Sequence, residues 1–520
     1  MINKAFAIEG LSARLKTMIA LCVAGVAALT FIIASPKASA HFSNKIDSYL
    51  AQRLASQSAV DVIVQVSGHA DLTGAENIAD RNERVRFVYE KLRDTADRTQ
   101  AGLVQFLDQK KADYQAFYIT NAVLVRNANA QLLNELASRP EVARLKFNVQ
   151  SRLQLPKVPP HLKIKDSPGD IPSNIIDIHA DRVWNELNVK GKGVVIAGQD
   201  TGYNWKHTAL HHQYRGLTVD AKGIESASHD YNWHDSIHQT TQTLCPANMT
   251  EPCDDHDHGT HTMGSMVGDD GGTNHIGVAP EAKWMGCRNM NEGVGTVASY
   301  TECFEFFLAP YPVGGDSRKQ GRPEMAPNII NNSWGCPTEE GCQGNEFVEV
   351  VRAVKAAGIM VVVALGNDGP GCNTAFSPPG SYYGEVLTAG AYDHYGNDIA
   401  YFSSRGPSSY NGGVGPDIVA PGNLVRSSIN SGSNGAENSR YEEMSGTSMA
   451  SPHTAGVVAL LWSAHPELKG QIQKTVELIH ASATARTSDQ TCGAFAGSAI
   501  PNATFGYGLI DSYNLIKSVK

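Results

Sequence analysis

The sequence predicts a doubly wound α/β domain with a mainly parallel sheet, preceded by a small α+β unit. Two observations predict this. From about residue 177 onward, short apolar runs rich in β-branched residues, such as 193–197, 328–330, 359–364 and 386–389, alternate with helical stretches. Runs of that kind belong to parallel sheets covered by helices on both faces. Before them, residues 41–150 read in the order β-α-β-β-α-β, a split βαβ sandwich. The 520 residues, 42% apolar and 18% charged, exceed what a single core keeps absorbing, so more than one folding unit is expected.

Taken in order, residues 1–40 carry Lys4, Arg14 and Lys16 ahead of an apolar run over 18–33 and an Ala38-Ser39-Ala40 triplet. This is the layout of an export signal cut after Ala40. The run falls short of the ~20 residues a spanning helix needs, so a secreted protein, extracellular or periplasmic, with no stable membrane partner is expected. An uncleaved anchor is the competing reading. In the small unit, 61–66 alternates as a strand, 75–109 is a long charged amphipathic stretch, 116–126 a strand pair, 130–137 a short helix and 142–147 a last strand. Residues 151–176 hold Pro156, Pro159, Pro160, Pro168 and Pro172, which predicts an exposed linker open to proteases. Residues 177–520 are the large domain.

Loss of the signal removes Cys22 and leaves Cys245, Cys253, Cys287, Cys303, Cys336, Cys342, Cys372 and Cys492. An even number in oxidising surroundings reads as disulfides. Cys245/Cys253 and Cys336/Cys342 enclose short loops and are the first pairs expected; eight cysteines allow 105 arrangements. A net charge of -9 without a lysine- or arginine-rich stripe argues against nucleic acid as a partner.

Three segments carry chemistry. GVVIAGQDTGY ends an apolar strand on Asp200, which taken alone reads as readily as a turn former or helix cap. DDHDHGTHTMG packs His256, His258 and His261 beside Asp254, Asp255 and Asp257. Such density fits a catalytic base, a solvated acidic loop or a metal site, although HxxH differs from the HExxH spacing that sets two ligands on one helical face. GTSMASPH, residues 446–453, runs into AGVVALLW. Gly446 permits a tight turn, Ser448 falls where a helix begins, and Pro452 is expected in the first turn, where a missing N–H is harmless. The helix N-terminus favours negative charge developing near Ser448. A serine hydroxyl needs a base in reach, and that base needs a third group to fix its tautomer. His258 and Asp200 supply these roles for Ser448. A fourth segment, VVVALGNDGP, ends a buried strand at Asn367, by itself a turn asparagine.

The order Asp, His, Ser along the chain is that of subtilisin and differs from chymotrypsin and the α/β-hydrolases. With DTG at Asp200, HGTH from His258, GN at Gly366-Asn367 and GTSMASPH around Ser448, the chain resembles the subtilases, the S8 serine peptidases. The segments GQDTGYNWKHTAL, GCRNM, INNSWGC and FSSRGP are most similar to the bacterial bacillopeptidase F-like group, and the likeness runs from about residue 177 to the C-terminus. The resemblance implies a subtilisin-like fold, cleavage of protein or peptide substrates through an acyl-enzyme, no cofactor for catalysis, and Asn367 as a donor in the oxyanion hole beside the backbone N–H of Ser448. It implies Ser333-Trp334-Gly335 as one wall of the first specificity pocket and Ala364-Leu365-Gly366 as the other, with the bulky Trp334 narrowing an adjacent subsite.

Residues 41–150 resemble the subtilase propeptide, a ferredoxin-like domain that assists folding, acts as an intramolecular inhibitor and is then cut away. A sheet rich in distant contacts folds slowly, which gives such a template a use; a permanent accessory domain is the alternative. Many relatives have glycine before the catalytic histidine, where this chain has Asp257, and a carboxylate there is expected to favour the imidazolium of His258 and move the acidic limb of activity upward. Subtilases often bind structural calcium, and the loop Gly268-Asp269-Asp270-Gly271 suits either calcium or plain solvation. Two other functions compete with proteolysis: a catalytically inactive subtilase-fold binding protein, and a metal-dependent hydrolase built on the histidine cluster.

Overall fold

The computed structural model describes residues 44–156, 171–430 and 438–519. The signal expected over 1–40 and residues 157–170 of the expected linker lie outside them. Elements are numbered in chain order.

The small unit comprises α1 (Ser48–Leu54), β1 (Ala59–Val66), α2 (Arg81–Lys110), β2 (Tyr114–Phe117), β3 (Ala122–Asn129), α3 (Ala130–Ala137), β4 (Val142–Phe147) and β5 (Gln150–Arg152). The first four strands form an antiparallel sheet in the order β2-β3-β1-β4. Both principal helices start at capping side chains: Asp80 accepts the N–H of Glu83 and Asn129 that of Leu132, which satisfies donors left orphaned in a first helical turn.

The proline-rich stretch does not begin as an exposed linker. Residues 150–152 form β5, which pairs antiparallel with a strand of the large domain, and Ser151 is 1% exposed. Proline content predicts where helices stop; backbone donors ahead of the first proline remain free to join a sheet edge.

The large domain continues with α4 (Ser173–Asp177), α5 (Ala180–Glu186), β6 (Val195–Asp200), the hairpin β7 (Leu217–Val219) and β8 (Glu225–Ala227), β9 (Trp233–Asp235), α6 (His258–Val267), β10 (Lys283–Arg288), β11 (Met290–Asn291), β12 (Val294–Thr296) and α7 (Val297–Leu308). After them come α8 (Ser317–Gln320), β13 (Ile329–Asn332), α9 (Val348–Ala356), β14 (Met360–Ala364), β15 (Leu387–Asp393), β16 (Asp398–Ile399), β17 (Ile418–Pro421), β18 (Val425–Ser428), β19 (Tyr441–Met444), α10 (Thr447–Ala464), α11 (Ile472–Ser482) and α12 (Ser512–Ser518). The main sheet runs β16-β15-β14-β13-β6-β10-β9, with β17 also paired to β15. Every pairing in it is parallel except β15 with β16. The chain leaves β6 toward β10 on one side and returns to β13 on the other, so the strand order reverses between β6 and β13, the place where open α/β sheets put their sites.

Successive residues of the central strands enter opposite cores. Ile196, Ile329, Met360 and Val362 pack with Met263 of α6 and Val457 and Leu461 of α10. Their neighbours Ala197, Ile330, Val361 and Val363 pack with Phe304 and Phe307 of α7 and Val350 of α9, and this second core also takes in Val85, Val88, Tyr89 and Leu92 of α2. Burial on both faces explains why these strands are continuous apolar runs. It also joins the small unit to the large one through a shared apolar layer.

Candidate active site

Asp200 is the last residue of β6 and His258 the first of α6, both buried. Nδ1 of His258 lies 2.7 Å from Asp200 Oδ1, which also accepts the N–H of Thr201 at 2.7 Å. The approach requires Gly259: a Cβ there would meet the Gly202 carbonyl oxygen at 2.1 Å and Asp200 Cβ at 3.1 Å. Asp254, not singled out by the sequence, ties this turn together. It accepts Thr201 Oγ1 (2.8 Å) on one oxygen, and the N–H (3.0 Å) and hydroxyl (2.5 Å) of Thr260 on the other. Nε2 of His258 has no hydrogen-bond partner among the described residues.

Ser448 is the second residue of α10, after Gly446 at φ 152°, a conformation open to glycine. Pro452 sits in the second turn rather than the first. It therefore withholds the N–H that Ser448 O would accept, and Ser333 Oγ donates to that oxygen instead at 2.9 Å. In return Ser448 Oγ donates to Ser333 O at 3.0 Å. The candidate nucleophile thus has its hydroxyl turned to a backbone carbonyl.

Asn367 follows β14. Its Oδ1 accepts the N–H (2.9 Å) and hydroxyl (3.0 Å) of Thr447, which leaves Nδ2 aimed outward, donating to the carbonyl of Gln154 at 3.1 Å. Ser333, Trp334 and Gly335 on one side and Ala364, Leu365 and Gly366 on the other line a cleft together with Asn367 and Ser448. Arg152 to Pro156 run along the same cleft. Trp334 is 3% exposed and stacks on Tyr300 at 3.8 Å and 11°, with Phe347 edge-on at 5.2 Å, so much of its bulk is absorbed in an aromatic stack beneath the cleft.

The three histidines of the DDHDHGTHTMG segment do not converge. His261 directs Nε2 to the carbonyl of Val425 at 2.9 Å, and burial lowers its pKa to about 3. Among the described residues no group of three His, Cys, Asp or Glu side chains is arranged to hold a metal. In the loop expected to suit calcium, Asp269 accepts Gly271 N (2.7 Å), and Asp270 accepts Gly272 N (2.8 Å) and Asn274 N (3.0 Å). Asp257 adopts the left-handed φ of 72°, a conformation that glycine takes without strain. Burial, then the charges of Asp254 and Glu442, push its carboxyl up to about 6. Those neighbours, rather than the imidazole of His258, dominate its surroundings.

Among the described residues four disulfides are present: Cys245–Cys253 and Cys336–Cys342, as expected from spacing, and Cys287–Cys303 and Cys372–Cys492. The second of these encloses Glu340, a residue the sequence did not single out, whose carboxylate reaches the strand in the cleft.

Residues 191–508 match the Subtilase family. The chain is 33% identical over 449 residues to Bacillopeptidase F of Bacillus subtilis (strain 168), covering 83% of this chain and 28% of that protein. It is 32% identical over 304 residues to Serine protease AprX of the same strain, 55% of this chain and 60% of the relative. To a thermophilic serine proteinase of Bacillus sp. (strain AK1) it is 29% identical over 340 residues, 65% of each. The chain thus spans between 28% and 65% of the length of these relatives. With an Asp–His pair at the sheet's switch point, a serine at the start of the adjoining helix and a family match across most of the large domain, the chain belongs to the Subtilase family.

Proposed function

We propose that the chain is an exported serine endopeptidase acting on proteins through an acyl-enzyme. In this reading it is made as a zymogen whose amino-terminal unit, ferredoxin-like in its strand order, is an inhibitor cut off at the bond Gln154–Leu155. The observation that carries it is the hydrogen bond from Asn367 Nδ2 to Gln154 O, which aims one peptide carbonyl at the amide of Asn367 beside Ser448.

Ser448 Oγ leaves Ser333 O, passes its proton to Nε2 of His258 and attacks the Gln154 carbonyl carbon. Asp200 holds Nδ1–H and so keeps Nε2 free to accept. The oxygen that becomes negative receives Asn367 Nδ2 and the backbone N–H of Ser448. Collapse breaks the bond to Leu155, whose nitrogen takes the proton from His258, and water then releases the acyl group by the same steps. The same geometry serves substrates in trans once the amino-terminal unit is gone. Four disulfides support an oxidising, extracellular destination, and among the described residues no helix is long and apolar enough to cross a membrane.

The second reading, an inactive binding protein, draws on the bond between Ser448 Oγ and Ser333 O. One experiment separates them. A serine-directed phosphonate labels the parent and not Ser448→Ala, and amino-terminal sequencing of the processed parent begins at Leu155. Undiminished proteolysis in Ser448→Ala, or an active parent that resists the phosphonate, overturns the serine mechanism; a start elsewhere overturns the assigned bond.

A further inference from the structure

The segment that enters the cleft is held between two edges. On one side Ser151 pairs with Gly295 and Arg152 with Val294, and the N–H of Leu153 donates to Gly293 O at 2.8 Å. On the other, Ser151 Oγ lies 2.6 Å from Gly335 O and 2.5 Å from Glu340 Oε2. The N–H of Arg152 sits 3.1 and 3.2 Å from the two oxygens of Glu340. One carboxylate therefore meets both a side-chain hydroxyl and the next backbone donor of the bound strand.

Glu340 is presented by a tight device. It ends a 3-10 turn, Thr338–Glu340, inside the loop closed by Cys336–Cys342, and its carbonyl oxygen accepts Tyr49 Oη at 3.4 Å. A Cβ placed on Gly295, the strand partner of Ser151, would lie 2.5 Å from Oη of Tyr300, which is buried and stacked on Trp334. Ser151 itself is 1% exposed. A branched apolar side chain there would leave two acceptors, Gly335 O and Glu340 Oε2, without the hydroxyl that now serves them in a buried place.

We propose that Glu340 is a specificity-determining residue that selects a small hydroxyl-bearing side chain, serine or threonine, three residues before the residue whose carbonyl is attacked. This rests on the reading of Gln154–Leu155 as the cleaved bond. The hydroxyl donates to the carboxylate, a charge-assisted bond, while the carboxylate also fixes the strand's register through the following N–H.

The test uses the purified, self-processed protein and the peptides Ser-Arg-Leu-Gln-, Thr-Arg-Leu-Gln-, Ala-Arg-Leu-Gln- and Leu-Arg-Leu-Gln-aminomethylcoumarin, with casein hydrolysis measured in parallel. The parent is expected to favour serine and threonine over alanine by about tenfold in kcat/KM, from the loss of one hydrogen bond to a charged acceptor, and to handle leucine less well than serine. In Glu340→Ala the serine-to-alanine ratio falls toward unity, and in Glu340→Gln, which keeps an uncharged acceptor, it lies between. The peptide series on the parent needs no variant to fold. A parent that treats serine and alanine alike, or a Glu340→Ala whose ratio matches the parent's, overturns the assignment. Casein cleavage without cleavage of any of the four peptides overturns both the assigned bond and this subsite while the proteolytic reading stands. A parent that cleaves neither overturns all three.

Discussion

Glu305 couples the stability of the joined units to pH. It lies on α7, 4% exposed, where Oε2 accepts the N–H groups of Tyr118 (2.7 Å) and Ile119 (3.1 Å) from the small unit, and Oε1 accepts Ser317 Oγ (3.0 Å). Burial pushes its carboxyl from the ordinary 4.5 up to about 7, outweighing those donors and the more distant Arg318. Arg318 is committed to Asp97 at 2.6 Å and Gln100 at 2.5 Å. A carboxyl whose folded pKa is raised holds its proton more tightly folded than unfolded. Stability is therefore fullest below 4.5 and falls as pH climbs from 4.5 through about 7.

That interval corresponds to about 3 kcal/mol. Glu305→Gln keeps an acceptor for the two N–H groups and removes the charge, so it should erase this loss. In a Ser448→Ala background, which prevents self-cleavage, urea unfolding at pH 5 and pH 8 is compared with and without Glu305→Gln. The variant should gain on its parent from pH 5 to pH 8 by an amount approaching about 3 kcal/mol; other groups titrate alike in both chains and cancel. A difference that does not change with pH, or a variant that loses ground at pH 8, would show that the three donors outweigh burial and would refute the reasoning.

Four other outcomes are expected. Asp200→Asn leaves the carbonyl–ring geometry but presents the wrong tautomer of His258, and single-turnover acylation should fall by ~10⁴. Asn367→Ala removes an oxyanion donor and should lower kcat by ~10²–10³ with little change in KM. Asp257→Gly relieves a left-handed non-glycine residue and should stabilise the fold by roughly 1 kcal/mol in denaturant titration. Because burial and then the charges of Asp254 and Glu442 govern its carboxyl, the acidic limb of the pH profile should stay where it is, and an altered limb would restore the link to His258. Replacing Cys372 and Cys492, 120 residues apart, by alanine should cost about 5 kcal/mol on the chain-entropy estimate, against about 2 kcal/mol for the Cys336–Cys342 pair six residues apart, as read from unfolding midpoints.

Much of this was legible because local chemistry decided it. The apolar runs at β6, β13, β14 and β15 announce a parallel sheet, since both faces are buried and no alternation survives. Of the three proposed catalytic residues, only Ser448 is marked by its own neighbours, such as Gly446, whereas Asp200 and His258 gain their assignments from their order along the chain and from context. What escaped depended on distance in sequence. Residues 150–156 look like a linker because their partners, Gly293 to Thr296 and Glu340, lie far along the chain. Asp254 hid among acidic neighbours, and only folding shows it binding Thr201 and Thr260. Pro452 was placed one turn early because a helix start cannot be fixed from its sequence to within a residue or two.

That displaced proline ties Ser448 to one wall of the cleft. By withholding an N–H from Ser448 O, Pro452 leaves an acceptor that Ser333 Oγ fills, while Ser333 O receives the Ser448 hydroxyl. Ser448 and the wall that follows β13 are therefore joined by two reciprocal bonds, of which the proposed mechanism breaks the one from the Ser448 hydroxyl. In that mechanism the hydroxyl turns to Nε2 of His258, which has no hydrogen-bond partner among the described residues. Exchange of one hydrogen bond for another at nearly equal strength asks for a side-chain rotation and no backbone movement. In the proposed step the bond from Ser333 Oγ to Ser448 O keeps the wall carrying Trp334 and Gly335 tied to the start of α10 while the serine turns.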